Sequence, residues 1–115
     1  MRAIAGRRPR FLAKLANRYH VVDGDAVLYF WSDGGLTKLV TADSHYWMDP
    51  TLNALELGLD PTSFFRISRA AIVNLHAVRE VVPFAGGGGE IVLKTGTTLE
   101  VSRRRFQELL QKLEG

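Results

Sequence analysis

Apolar positions change their period along this chain, and the changes mark its elements. In the first half they come as short runs: Arg10 to Leu15 (RFLAKL), Tyr19 to Val22 (YHVV) and Ala26 to Trp31 (AVLYFW). Runs this short, rich in β-branched and aromatic residues and bounded by turn formers, predict strands. Ser32-Asp33-Gly34-Gly35 predicts a tight hairpin turn, and Thr37 to Thr41 and His45 to Met48 continue the sheet on either side of Ala42-Asp43-Ser44. Leu52, Leu55 and Leu59 then recur at helical spacing. They predict a helix of about two turns, with Asp49 as cap, Pro50 at the first helical position, and Gly58 with Pro61 as the stop.

The second half returns to strands. Phe64 to Ile67 reads as one, Ser68 to Ala71 as a turn or short helical turn, and Ile72 to Val82 as strand material broken near Asn74 to Ala77. Ile91 to Lys94 and Thr98 to Val101 flank Thr95-Gly96 as a hairpin, with Leu99 and Val101 on one face. The final segment is helical: Phe106, Leu109, Leu110 and Leu113 form one apolar stripe, and Ser102 stands where an N-cap belongs. The fold class is therefore mostly β with a few short α-helices. Its 115 residues, 46% hydrophobic, suit one modest core, with residues 1–9 as a basic extension and residues 10–115 as the domain.

Charge changes this picture through its distribution. Residues 1–22 hold six bases and no acid, residues 23–65 seven acids against Lys38 alone, and residues 66–115 eight bases against five acids. A formal charge of +3 and a sequence pI near 9.6, with basic segments at both ends, fit a domain that meets a polyanion. The absence of cysteine excludes disulfides, thiolate metal sites and a cysteine nucleophile. No apolar run approaches 18 residues and no signal core follows the basic N-terminus, which predicts a cytoplasmic protein with no membrane partner.

Catalytic motifs are missing. His20, His45 and His76 lack metal-ligand spacing, no nucleophile elbow marks any serine, and the Gly86 to Gly89 run lacks the Lys-Ser/Thr and following helix of a phosphate loop. It reads as a flexible hairpin loop. The chain is not expected to be an enzyme or to carry a cofactor or metal.

The arginines are the informative residues. Arg103, Arg104 and Arg105 open a helix whose N-terminus is already partly positive, each at a cost of roughly 0.3–1 kcal/mol. A polyanion lying across that terminus reverses the sign. At 100° per residue, Arg104 lies roughly 170° from the apolar stripe, with Arg103 and Arg105 roughly 70–90° away on its flanks. Arg104 points outward, while the flanking stems can cover apolar surface. In FFRISRAAIVN, alternation that turns Phe65 and Ile67 inward turns Arg66 outward, and Arg69 projects from the turn begun at Ser68. Arg66 then has two readings: a phosphate contact, or an exposed strand residue paired with a carboxylate such as Glu100.

Two segments together resemble the LytTR DNA-binding domain family: FFRISRAAIVNL, and LKTGTTLEVSRRR, a hairpin closing on valine-serine-arginine-arginine. AVLYFWSDGG and TLNALELGLDP match the expected order, so the resemblance spans roughly residues 10–114. It implies an elongated arrangement of small antiparallel sheets with a short middle helix and a C-terminal helix, whose loops enter successive major grooves. It implies the output domain of a bacterial response regulator in a two-component system, binding double-stranded DNA at direct repeats in promoters, a monomer alone and two copies on DNA. By position, Arg104 would read a base, and Arg69 would occupy a second base-reading loop. Ser68, Ser102, Arg103 and Arg105 would follow the phosphate backbone. A third contact would come from the turn holding Gly35, Leu36, Thr37 and Lys38. Where the family often has histidine the chain has Ser68, and Ala70 and Ala71 replace a serine and a large aromatic, which removes a hydroxyl that Arg69 could replace with charge. Nine leading residues are too few for a receiver domain, so the chain is either an excised output domain, with a receiver domain or sensor kinase as partner, or a stand-alone regulator. The rival reading is a protein-interaction or membrane-regulatory β domain whose basic patch meets an acidic partner. An RNA-binding small β barrel is a third, and would need Tyr29, Phe30 and Trp31 exposed for stacking.

Overall fold

The computed structural model describes residues 9–115, so most of the basic extension lies outside the described residues. In chain order the elements are β1 (Arg10–Leu15), β2 (Arg18–Asp23), β3 (Tyr29–Asp33), β4 (Leu36–Val40), β5 (His45–Met48), α1 (Leu52–Gly58), β6 (Phe64–Ser68), β7 (Ala71–Asn74), β8 (Val78–Pro83), β9 (Gly89–Leu93), β10 (Thr98–Val101) and α2 (Arg103–Glu114). Two antiparallel sheets result: seven strands in the order β2-β1-β5-β4-β3-β7-β6, and three in the order β10-β9-β8. The molecule is a slab measuring 44 × 40 × 25 Å.

Residues facing each other across antiparallel strands share a face of the sheet. The partners Phe30↔Leu39 and Phe30↔Ile72, with Ala13 and Met48, define one face of the large sheet. Leu52 and Leu55 of α1 cover it, forming a core in which Phe30 packs 5.8 Å from Phe64 and edge-on, 5.2 Å, to Phe11. The opposite face at the β6–β7 end carries Phe65, Ile67, Ala71 and Val73. They pack against Ile91, Leu93, Leu99 and Val101 of the small sheet and Phe106 and Leu109 of α2. Two cores thus share the β6–β7 pair. The arrangement brings α1, the β6–β7 turn and the start of α2 together, because each covers or continues the same two strands.

Four local expectations are corrected. The cap of α1 is Thr51, whose hydroxyl accepts from the Ala54 amide at 3.1 Å, so Asp49 and Pro50 lie before the helix. The spacing of a capping hydroxyl from the amide three residues on favours Thr51 once Leu52 starts the helix. β3 begins at Tyr29, because Gly24–Ala26 forms a 3-10 turn. Ser102 sits at the N-cap of α2 with extended backbone angles, yet its side chain makes no capping bond. The glycine run does join β8 to β9, but Gly88 and Gly89 are buried against the start of α2. A methyl group on Gly89 would stand 2.6 Å from the Phe106 ring, and one on Gly88 would stand 2.9 Å from the Val101 carbonyl at a φ of +70°. The run lets two backbones touch, which is a packing requirement rather than a need for flexibility.

Candidate nucleic-acid interface

The β6–β7 turn is built around Arg66. Alternation places it opposite Phe65 and Ile67, as the sequence suggests, but that face is covered by α1, and Arg66 is only 10% exposed. Its guanidinium donates to four acceptors: Nε to the Ser68 carbonyl at 2.7 Å, Nη2 to the Arg69 carbonyl at 2.9 Å, and Nη1 to Asn53 Oδ1 and Glu56 Oε1, both at 3.0 Å. The outward strand arginine, open to a phosphate or to a carboxylate such as Glu100, is thus an inward clamp, and its carboxylate partner is Glu56. It ties the turn to α1, and Ser68 tightens the turn further by accepting from the Ala70 amide at 3.1 Å. Arg69, at the tip, projects into solvent.

The start of α2 is held from both sides. Arg103 donates to the Gly86 carbonyl at 2.8 Å and lies so close over Gly87 that a methyl there would be 2.8 Å from its Nε. The Ser102 amide donates to the Ile67 carbonyl at 2.9 Å, fastening the helix start to β6. Arg105 reaches Glu56 at 3.9 Å. Arg104, between them, is exposed as the helical wheel requires.

These elements enclose one cleft of about 330 Å³, lined by Asn53, Glu56, Arg66, Ser68, Arg69, Ser102, Arg104 and Arg105. A second hollow of about 230 Å³ shares Asn53, Arg66 and Arg69 and adds Ser32, Gly35, Thr37, Thr51 and Leu52. The surface therefore runs from the β3–β4 turn, past α1, to α2. Arg69 and Arg104 make no side-chain hydrogen bond or ion pair among the described residues. A planar cation with unoccupied donors is suited to a phosphate or to the two acceptors of a guanine edge.

A family model described as the LytTr DNA-binding domain matches residues 17–114. This chain belongs to that family. The sensory transduction protein LytT of Bacillus subtilis is 28% identical over 93 residues, covering 81% of this chain and 39% of that protein. The heme-containing CO-sensing transcriptional regulator RcoM 1 of Paraburkholderia xenovorans is 36% identical over 110 residues, covering 91% of this chain and 41% of that protein. This LytTr domain thus spans about two fifths of the length of these relatives. Its fold matches the LytTr DNA-binding domain of a putative methyl-accepting/DNA response regulator from Bacillus cereus, with a TM-score of 0.84, 21% identity and coverage of 96% and 99% of the two chains. It is a DNA-binding domain by family, mostly β, and no helix among its described residues is long and apolar enough to cross a membrane.

The LytTr domain brings together Arg66, Ser68, Arg69, Ser102, Arg104 and Arg105, with Gly35 and Thr37 beside them. Leu36 is exposed at the same turn, whereas Thr37 is buried. Lys38 lies elsewhere: one position on from Thr37, it points through the opposite face of the sheet, where it pairs with Asp33 at 3.3 Å and covers the Trp47 ring at 5.0 Å. Tyr29 and Trp31 share that face and are half-buried, while Phe30 is core. Sequence reasoning missed Asn53 and Glu56. Their three-residue spacing on a helix whose other face is leucine was the available signal.

Proposed function

We propose that this LytTr domain binds double-stranded DNA in a sequence-specific way, inserting the β6–β7 turn and the start of α2 into major grooves. The observation that carries the reading is a contrast in and beside one cleft: Arg66 and, just outside the lining, Arg103 are hydrogen-bonded, and Arg105 is loosely ion-paired, whereas Arg69 and Arg104 have no side-chain partner among the described residues. Arg66 and Arg103 fix the frame, and the two unpaired arginines present guanidinium groups where bases would lie. Arg104 reads one base and Arg69 another, with guanine the expected partner for each. Arg103, Arg105 and the hydroxyl of Ser102, unused in capping, follow phosphates with Ser68, setting register without reading sequence. The exposed Gly35 and Leu36 supply the third contact. Arg66 acts behind the surface, and Lys38 stands outside it.

The domain serves as the output part of a bacterial regulator acting in the cytoplasm, monomeric when free and bound as two copies at direct repeats in promoters. The names of its relatives, a sensory transduction protein and a CO-sensing regulator, support a signal received elsewhere in a longer protein, by a receiver domain or from a sensor kinase. Titration of a random-sequence duplex against salt is the test. Binding that falls steeply as salt rises from 50 to 200 mM supports the reading, through release of counterions from the phosphates. No binding at low salt would transfer support to a protein-interaction domain.

A further inference from the structure

We infer that Glu56 is a positioning residue which stands in for a DNA phosphate in the free protein, and that DNA binding transfers Arg105 from Glu56 to the sugar-phosphate backbone. The inference rests on the DNA-binding reading above. Glu56 is an acid in the lining of the main cleft, and it serves two arginines unequally. Arg66 is hydrogen-bonded to it at 3.0 Å, is 10% exposed, and is anchored by three further acceptors. Arg105 meets its other oxygen at 3.9 Å and is 30% exposed, and Glu56 itself is 41% exposed. Among the described residues Arg105 has no other ion-pair partner.

Arg66 cannot leave without releasing the whole turn. Arg105 can leave at little cost, because a long, partly hydrated ion pair is a weak one. Its position explains why it needs a partner at all: in the first turn of α2 its charge opposes the helix dipole, and no acid of that turn offsets it. Glu56, reaching across from α1, supplies the missing negative charge when no DNA is present. A phosphate, offering two acceptors to one guanidinium, is the better partner when DNA arrives. Arg105 also stands on a ridge between the main cleft and a neighbouring hollow lined by Glu108 and Lys112, so its side chain has room to turn toward the cleft.

The test is a double-mutant cycle with the full 115-residue chain and a random-sequence duplex, read by fluorescence anisotropy between 50 and 200 mM KCl. Glu56→Gln keeps an oxygen for Arg66 while removing the charge. It should tighten binding about threefold, the size expected from one partly exposed ion pair no longer given up. Arg105→Gln should reduce the salt slope by about 0.9, one phosphate contact. In the Arg105→Gln background the gain from Glu56→Gln should shrink below about 1.5-fold, because most of it comes through Arg105. Equal gains in both backgrounds would overturn the transfer, leaving Glu56 as a general repulsive charge. So would weaker binding by Glu56→Gln in step with a lowered melting temperature, the mark of a purely structural role. If Arg105→Gln lowers the melting temperature, Arg105→Met gives the same comparison, since it keeps an apolar stem and removes the charge. Failure of the wild-type chain to bind the duplex would defeat the DNA reading itself, and would be seen before any substitution was made.

Discussion

The large sheet carries bases along the face away from α1 and in the cleft beside α1, and it treats them differently. On the face away from α1, register lines up Trp31, Lys38, Trp47, Lys14 and Tyr19 across β3, β4, β5, β1 and β2. Each lysine there has an aspartate at 3.3 Å, Asp33 for Lys38 and Asp49 for Lys14, and an aromatic ring beneath it at 5.0 or 5.4 Å. On the α1 face, Arg66 is consumed by four acceptors, and at the β6 edge of the sheet Arg69, on the β6–β7 turn, and Arg104, at the start of α2, project with no side-chain partner among the described residues. The lesson is that a count of basic residues does not locate a polyanion site. The proposed site is marked instead by the remaining hydrogen-bonding capacity of Arg69 and Arg104, beside Arg66, whose own capacity is used up.

That contrast can be broken most severely at Arg66. Arg66→Ala leaves Glu56 and Asn53 without their partner and frees the turn, so a loss of about 3 kcal/mol in urea unfolding is expected, with DNA affinity falling as a consequence. Arg104→Ala should do the reverse: unfolding stability within about 0.5 kcal/mol of wild type, since it is exposed, and specific binding weaker by about 1–3 kcal/mol in an anisotropy titration. On the face away from α1, Lys38→Ala should cost about 0.5–1 kcal/mol of stability, for the lost ion pair and ring contact, and leave the affinity for DNA unchanged. A drop in affinity for Lys38→Ala comparable to that for Arg104→Ala would erase the distinction between the paired lysines and the cleft.

The smallest effect is a pH dependence at Lys14. The hydrogen bond to Asp49, and then its charge, hold the Lys14 ammonium above its ordinary value of 10.5. A group whose folded pKa is raised contributes fully below the unfolded value and loses that contribution as pH rises through the folded one. The stability difference between wild type and Lys14→Met, followed by chemical unfolding, should therefore be level from pH 7 to 9 and shrink above about pH 10.5.

Much of the scaffold was legible because it obeys local rules. The strands from Arg10, Phe64 and Thr98, the break at Asn74 to Ala77, and α2 with its Phe106-Leu109-Leu113 stripe follow from periodicity and turn residues. Arg104 was readable from the helical wheel, and Arg69 from the turn that bears it. What could not be read is what packs over what. Alternation put Arg66 on the face opposite Phe65, but only tertiary structure brings α1 over that face and turns a surface arginine into a clamp. For the same reason nothing in the sequence singled out Glu56, and the glycine run read as a flexible loop instead of a point of close contact with α2. Lys38 shows the converse: its neighbours in sequence place it at the β3–β4 turn, but its side chain points away from the cleft, toward Asp33 and Trp47.

The central claim, that Arg104 reads a base from a frame fixed by its bonded neighbours, is tested most directly by selecting bound duplexes from a random library with the wild-type chain and with Arg104→Ala in parallel. The account predicts that wild type enriches a repeated half-site containing guanine, and that the variant enriches the same half-site with one position relaxed. Identical motifs from the two proteins, recovered with equal affinity, would contradict it.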